Sequence, residues 1–191
     1  PPRKAAGLSG RYDFSFAAGC SVQTVPFSCL MHTAAPFFSI ISVARNDAWP
    51  LSKTMRSVVQ QSCRDLEYVV VDGGSSDGTA SLVDFWHARG QVDRFVSEPD
   101  QGVYDAMNKG LRLARGRFVC FLNAGDVFRG AEVLAEVKAI LEDGRLDGVL
   151  GWGELAGQYW VTWAESPAYK LSSLGFCHQS LFARREHLLR C

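Results

Sequence analysis

The stretch Ser97-Glu98-Pro99-Asp100-Gln101-Gly102-Val103-Tyr104-Asp105-Ala106-Met107-Asn108-Lys109-Gly110 decides how this chain is read. It leaves a short apolar run, Phe95-Val96, and passes a proline and a glycine. It then enters a segment in which Val103, Met107, Leu111 and Ala114 recur at helical spacing. Two other segments make the same passage from an apolar run into polar residues and glycines. Upstream lies Val69-Val70-Val71-Asp72-Gly73-Gly74-Ser75-Ser76-Asp77-Gly78-Thr79, and downstream Phe121-Leu122-Asn123-Ala124-Gly125-Asp126. An open α/β sheet gathers its ligand at such strand ends.

Working outward, Phe37 to Val43 is a β-rich apolar run and predicts the first buried strand. Asn46 or Asp47 is placed to cap the next helix, with Pro50 in its first turn and Leu51, Met55, Val58 and Val59 on one face. Leu66 to Val71 predicts a second strand, and Leu82, Val83 and Trp86 a second helix. Phe95-Val96 is a brief third strand and Arg117 to Leu122 a fourth. Val133, Leu134, Val137, Ile140 and Leu141 mark a further helix face, Gly148-Val149-Leu150 another strand, and Arg184 to Arg190 the start of a helix. Strands alternating with helices imply a mostly parallel sheet covered on both faces.

The chain has 191 residues, enough for one domain with a full core, and 47% hydrophobic with 21% charged residues is ordinary for a globular protein. Its 20 basic and 20 acidic residues cancel, which argues against a nucleic-acid surface built on bulk charge. No apolar run approaches the roughly 20 residues of a spanning helix. The six cysteines form no C-x-x-C pair, so a zinc site is not expected, and Cys63 and Cys120 read as small core residues of a reduced, cytosolic domain. Residues 1–36 lack sustained periodicity and form no signal-peptide core. They are read as an extension, either non-native or a flexible arm, with Met31 as the natural start; residues 37–191 carry the fold.

Taken in order, the three quoted motifs resemble the family 2 glycosyltransferases of the GT-A fold, in particular bacterial enzymes of exopolysaccharide and lipopolysaccharide synthesis. The resemblance runs from about Phe37 to the end of the chain. It implies a Rossmann-like α/β fold and transfer of a sugar from a nucleotide donor to a glycan or lipid-linked acceptor, with inversion. The expected location is cytoplasmic, with peripheral association at the inner face of the membrane compatible with such an acceptor. Family members continue past Cys191, where their catalytic base lies, so the resemblance also implies a C-terminally incomplete domain.

Asp72 closes the second strand ahead of two glycines, and its carboxylate, an acceptor only, suits the imide N–H of a base. The resemblance gives the matching aspartate that role; otherwise the segment is a turn in which Asp77 caps the next helix. Ala44, Asn46 and Gly74 match positions around the nucleotide, while Arg45 stands where an aromatic is often found. Asp105 and Lys109 form an i,i+4 pair that is by itself a surface ion pair, and that the resemblance places beside the nucleotide. In Asn123-Ala124-Gly125-Asp126 the family's metal-binding D-x-D motif is depleted: Asp126 is the expected ligand of Mn²⁺ or Mg²⁺, and Asn123 a contact to ribose or phosphate. Glu154, after Gly151-Trp152-Gly153, and His178, in Gly175-Phe176-Cys177-His178-Gln179-Ser180, are the catalytic or acceptor-side candidates within the chain.

Two other readings compete. A nucleotide-sugar-binding domain without catalysis is compatible with the depleted motif. A nicotinamide-dependent dehydrogenase is disfavoured, because no G-x-G-x-x-G opens the first helix.

Overall fold

The computed structural model describes residues 35–151, 153–155, 158–160 and 178–190. The chain divides into two compact units, Pro1–Met31 and His32–Cys191. The first, with most of the expected extension 1–36, lies outside the described residues. Pro36 already belongs to the second, since its carbonyl accepts the Arg117 N–H at 2.9 Å.

A six-stranded sheet organises this unit, in the order β3-β2-β1-β4-β8-β5. Its strands are β1 (Phe38–Ala44), β2 (Leu66–Asp72), β3 (Arg94–Ser97), β4 (Phe118–Phe121), β5 (Gly148–Leu150) and β8 (Leu181–Arg184). β6 (Gly153–Leu155) and β7 (Gln158–Trp160) pair antiparallel as a separate ribbon. The first four strands pair in parallel. They are joined by α1 (Ala48–Val59), α2 (Thr79–His87) and α3 (Val103–Leu113), and α4 (Val133–Leu141) follows β4. β1 is buried along its whole length because it sits at the centre of a sheet covered on both faces. The chain moves outward from β1 to β3 and then returns to place β4 on the other side of β1. In an open α/β sheet such a reversal sets the crevice at the carboxyl ends of the strands on either side, here β1 and β4.

The apolar stripes read from sequence fill the two faces. Leu51, Met55 and Val58 of α1, Val83 of α2 and Leu134 and Leu141 of α4 pack with Phe38, Ile40, Val70 and Phe118. Leu111 and Ala114 lie against Ile41, Val69 and Val119 on the other face. Gly110 permits that close approach, since a Cβ there would sit 2.4 Å from Ile41 Cγ2. Cys120 is buried and Cys63 partly so.

Three local expectations are corrected. Val103 and Ile140, assigned to apolar stripes, are each about half exposed at the helix margins. Asp47 occupies the N-cap position of α1 but makes no side-chain cap; Asp77 Oδ2 instead accepts the Ala48 N–H at 3.3 Å. The run Arg184 to Arg190 is not helical throughout, because Arg184 ends β8 and the short helix α5 is Arg185–Leu188. β8 inserts antiparallel between β4 and β5, held by the sheet neighbours rather than by its own short pattern.

Polar ties cross the sheet at both ends. At the amino end, the buried Glu67 accepts from Ser39 Oγ at 2.6 Å, from the Arg115 N–H, and from the Gly116 N–H at 3.0 Å. Nearer the carboxyl end, Tyr68 Oη donates to Ser42 Oγ at 2.9 Å, and Ser42 Oγ donates to the Leu122 carbonyl. This chain links β2, β1 and the end of β4 directly beneath the crevice. Burial pushes the Tyr68 phenol far above its ordinary range, so it stays a protonated donor.

Candidate active site

Two clusters flank the carboxyl end of β1. The first joins the loops after β1, β2 and β3. Asp72 is fully buried. One of its oxygens accepts from the Ser75 N–H at 3.1 Å and from Ser97 Oγ at 2.6 Å, and the other accepts from Ser75 Oγ. The serines of its own motif and of β3 thus enclose Asp72, the residue expected to contact a base. Ser75 Oγ also accepts the Asn46 N–H at 2.7 Å, and Asn46 Oδ1 accepts the Ser76 N–H at 2.8 Å. Among the described residues Asn46 is the non-glycine residue held at positive φ, 55°, a conformation asparagine tolerates better than most. The Ala44 carbonyl accepts the Gly73 N–H at 2.9 Å. Asp77 accepts from Thr79, lowering its pKa, and so serves the starts of both α1 and α2.

The opening stretch Ser97 to Gly110 forms the outer wall of this cluster. Lys109 Nζ donates to the Pro99 carbonyl at 2.8 Å and pairs with Glu98 at 3.0 Å and Asp105 at 3.5 Å. Asp105 Oδ2 accepts the Gln101 N–H at 3.0 Å; that bond and nearby Lys109 hold its pKa down. Both expected nucleotide contacts thus brace the 98–102 loop. The loop packs closely on the Gly73-Gly74 pair: a Cβ on Gly74 would lie 3.2 Å from Pro99 N. A Cβ on Gly73 would lie 2.1 Å from Asp100 Oδ2. Asp100 was not singled out from sequence, and only the absence of a side chain at position 73 could have pointed to it.

The second cluster forms where β4 ends. Asn123, Ala124, Gly125 and Asp126 make a turn closed by the Asp126 N–H on the Asn123 carbonyl at 3.0 Å. Thr54 of α1 steadies it, donating to the Asn123 carbonyl at 3.2 Å and accepting the Gly125 N–H at 3.0 Å. Gly125 has φ +99°, so the residue standing where the metal motif has a carboxylate is one this turn needs as glycine. A 3₁₀ turn, His178–Ser180, brings the expected His178 alongside, with its Nε2 3.2 Å from Asn123 Nδ2. The Asp126 carboxylate is half-buried, which raises its pKa, opposed by a hydrogen bond from the Gln179 side chain and by nearby His178. Asn123 Oδ1 is buried without a hydrogen-bond partner among the described residues.

Among the described residues no group of three or more His, Cys, Asp and Glu side chains converges on one point. What the turn offers a hard cation is one carboxylate, Asp126, and one orphaned amide oxygen, Asn123 Oδ1. Both are oxygen donors of the kind Mg²⁺ and Mn²⁺ prefer, and a diphosphate would supply the remainder. Glu154 lies on the β6–β7 ribbon opposite Tyr159, and Gly175 to Cys177 of the His-Gln segment fall outside the described residues.

The sheet order, the crevice and the two clusters define a GT-A glycosyltransferase fold. The chain matches the family model "Glycosyl transferase family 2" over residues 39–188, and it belongs to that family. It is 37% identical over 158 residues to the PGL/p-HBAD biosynthesis glycosyltransferase of Mycobacterium bovis BCG, covering 80% of this chain and 60% of that protein. Among solved structures it resembles the mannosyltransferase PcManGT of Pyrobaculum calidifontis in complex with GDP-Man and Mn²⁺. There the identity is 29% and the TM-score 0.55, over 62% of this chain and 36% of the other. S. aureus TarS 1-349 in complex with UDP shares the fold at TM-score 0.64 and 23% identity, over 80% of this chain and 48% of the other. No helix of the described residues is long and apolar enough to cross a membrane.

Proposed function

We propose that the full protein transfers a sugar from a nucleoside diphosphate donor to a glycan or lipid-linked acceptor of cell-surface polysaccharide or glycolipid synthesis, with inversion. The observation that carries this reading is the pairing of the orphaned Asn123 Oδ1 with the desolvated Asp126 at the mouth of the β1/β4 crevice. A bound cation would give Asn123 Oδ1 its missing partner and offset the charge of the Asp126 carboxylate and of a diphosphate. The relatives support it: PcManGT is described with GDP-Man and Mn²⁺, and TarS with UDP.

The loops after β1, β2 and β3 would hold the nucleoside, and the β4 turn the diphosphate. Asp126 and Asn123 would hold Mn²⁺ or Mg²⁺. When bound, the cation neutralises charge on the departing nucleoside diphosphate. Asn123 fixes the His178 ring, which then faces the phosphate or acceptor side. The acceptor hydroxyl needs a base as it attacks the anomeric carbon, and Glu154 and His178 are the candidates in this chain. The site would work at the cytoplasmic face of the membrane, where such acceptors are assembled.

The test is a donor screen on the full-length protein that follows nucleoside diphosphate release with acceptor present, with Mn²⁺ and with chelator. Acceptor-dependent release that needs the cation is expected. Tight nucleotide-sugar binding with no release under any acceptor would favour the non-catalytic alternative.

A further inference from the structure

We propose that Asp100, and not Asp72, is the carboxylate that reads the nucleobase, and that it selects donors whose base carries a ring N–H, as uracil and guanine do. This rests on the nucleotide-sugar reading of the crevice and names the part of the donor that the first cluster recognises.

Asp72 is fully buried, and Ser75 and Ser97 hydrogen-bond both its oxygens. The next residue, Gly73, has no side chain, and its open face is filled from another loop. Asp100 Oδ2 lies 2.1 Å, and Asp100 Cγ 3.0 Å, from where a Cβ of residue 73 would be. Asp100 therefore delivers a carboxylate to the place from which a side chain on residue 73 would project. Arg45 Cβ lies 3.4 Å from the same point, so Asp100 and Arg45 meet over Gly73. The carboxylate covers Gly73, and the neighbouring Arg45 offers a guanidinium plane on which a flat ring can stack.

The Asp100 carboxylate is also held in one orientation. Its Oδ1 accepts the Gly102 N–H at 2.9 Å, while Oδ2 takes no hydrogen bond from the described residues. The loop on either side is pinned. The Glu98 N–H bonds the Asp72 carbonyl at 3.0 Å, Lys109 clamps Pro99 and Glu98, and Asp105 holds the Gln101 N–H. Polar side chains of this stretch are thus spent on fixing the loop, and Oδ2 is left as a positioned acceptor. An ionised carboxylate can only accept, so it matches uracil N3–H or guanine N1–H and opposes the bare N3 of cytosine. A site built to accept a donor rejects a base lacking it, because a buried acceptor is left unpaired.

The experiment is titration calorimetry of UDP, GDP and CDP, in Mn²⁺, against the full-length protein and its Asp100→Asn variant. Asn keeps an oxygen for Gly102 and turns an N–H₂ toward the base. UDP and GDP affinity should fall about 10- to 100-fold in the variant, and CDP affinity should rise or hold, so that the UDP-to-CDP preference collapses or inverts. Gly73→Ala, whose methyl would displace Oδ2, should reproduce the loss for UDP and GDP with an unchanged melting temperature. Equal weakening of all three nucleotides in Asp100→Asn would reduce Asp100 to a loop-shaping residue and overturn the proposal, as would unchanged UDP and GDP binding. If the unaltered protein binds none of the three, the donor reading itself fails, and this one with it.

Discussion

Asn123 and His178, 55 positions apart in the chain, meet side chain to side chain, with Nδ2 3.2 Å from Nε2. The contact ties the 3₁₀ turn to the end of β4, and Cys120 Sγ reinforces it against the Gln179 carbonyl at 3.4 Å. It occupies the amide nitrogen of Asn123 and leaves the amide oxygen to the crevice. A second consequence concerns Asp126, which gains Gln179 and His178 as neighbours from the same turn.

Asp126→Ala should abolish the effect of Mn²⁺ on nucleotide affinity while the fold persists. Calorimetry of UDP and GDP with Mn²⁺ and with excess chelator checks this. Unmutated protein that binds equally well in chelator would remove the cation from the site.

Asp72→Asn should lower stability, because one of three accepted hydrogen bonds would meet an N–H₂ in a buried place. A loss of about 1–3 kcal/mol is expected, from the cost of an unsatisfied buried group. Urea unfolding monitored by circular dichroism measures it. A variant as stable as the parent would mean that Asp72 is not the anchor of the loop.

Lys109→Met should lower the unfolding midpoint only slightly, since its partners Glu98 and Asp105 are partly exposed and such pairs are worth little. Nucleotide affinity should nevertheless fall several-fold as the 98–102 loop loosens. Hydrogen exchange at Asp100 to Gly102, faster in the variant, would separate loop motion from loss of a direct phosphate contact.

Asp93 supplies a pH test away from the crevice. Partial desolvation of its carboxylate raises its pKa, although it accepts the Tyr68 N–H at 2.7 Å. A raised native pKa means the protonated form is favoured on folding. Its contribution is therefore fully present below the unfolded aspartate pKa of about 4 and is lost as pH rises through the native value. Asp93→Asn should match the parent near pH 3 and exceed it in stability near pH 7. Thermal unfolding at the two pH values decides, and the opposite order would sink the assignment.

The strands and helices up to β4 were legible because each is a run of β-branched and aromatic residues, or a helical stripe, closed by glycine and aspartate. β8 was not, since Leu181 to Arg184 is short and runs straight into charged residues that continue as helix. The site was legible as a place but less so as a list of contacts. Asp72, Asn46, Asp105 and Lys109 all lie where the motifs put them, yet each bonds within the cradle. Which carboxylate is enclosed and which is presented depends on Ser97 and Asp100, brought across from another loop. Local periodicity carries no information about that exchange.

The bond chain from Tyr68 through Ser42 to Leu122 fixes where this protein can be re-engineered. With β2, β1 and the end of β4 tied together by side chains, a substitution along that chain would disturb nucleoside and diphosphate halves together. Attempts to change donor preference are better directed at Arg45 and Asp100, which stand on loops outside that chain of bonds and can be exchanged without unlocking it.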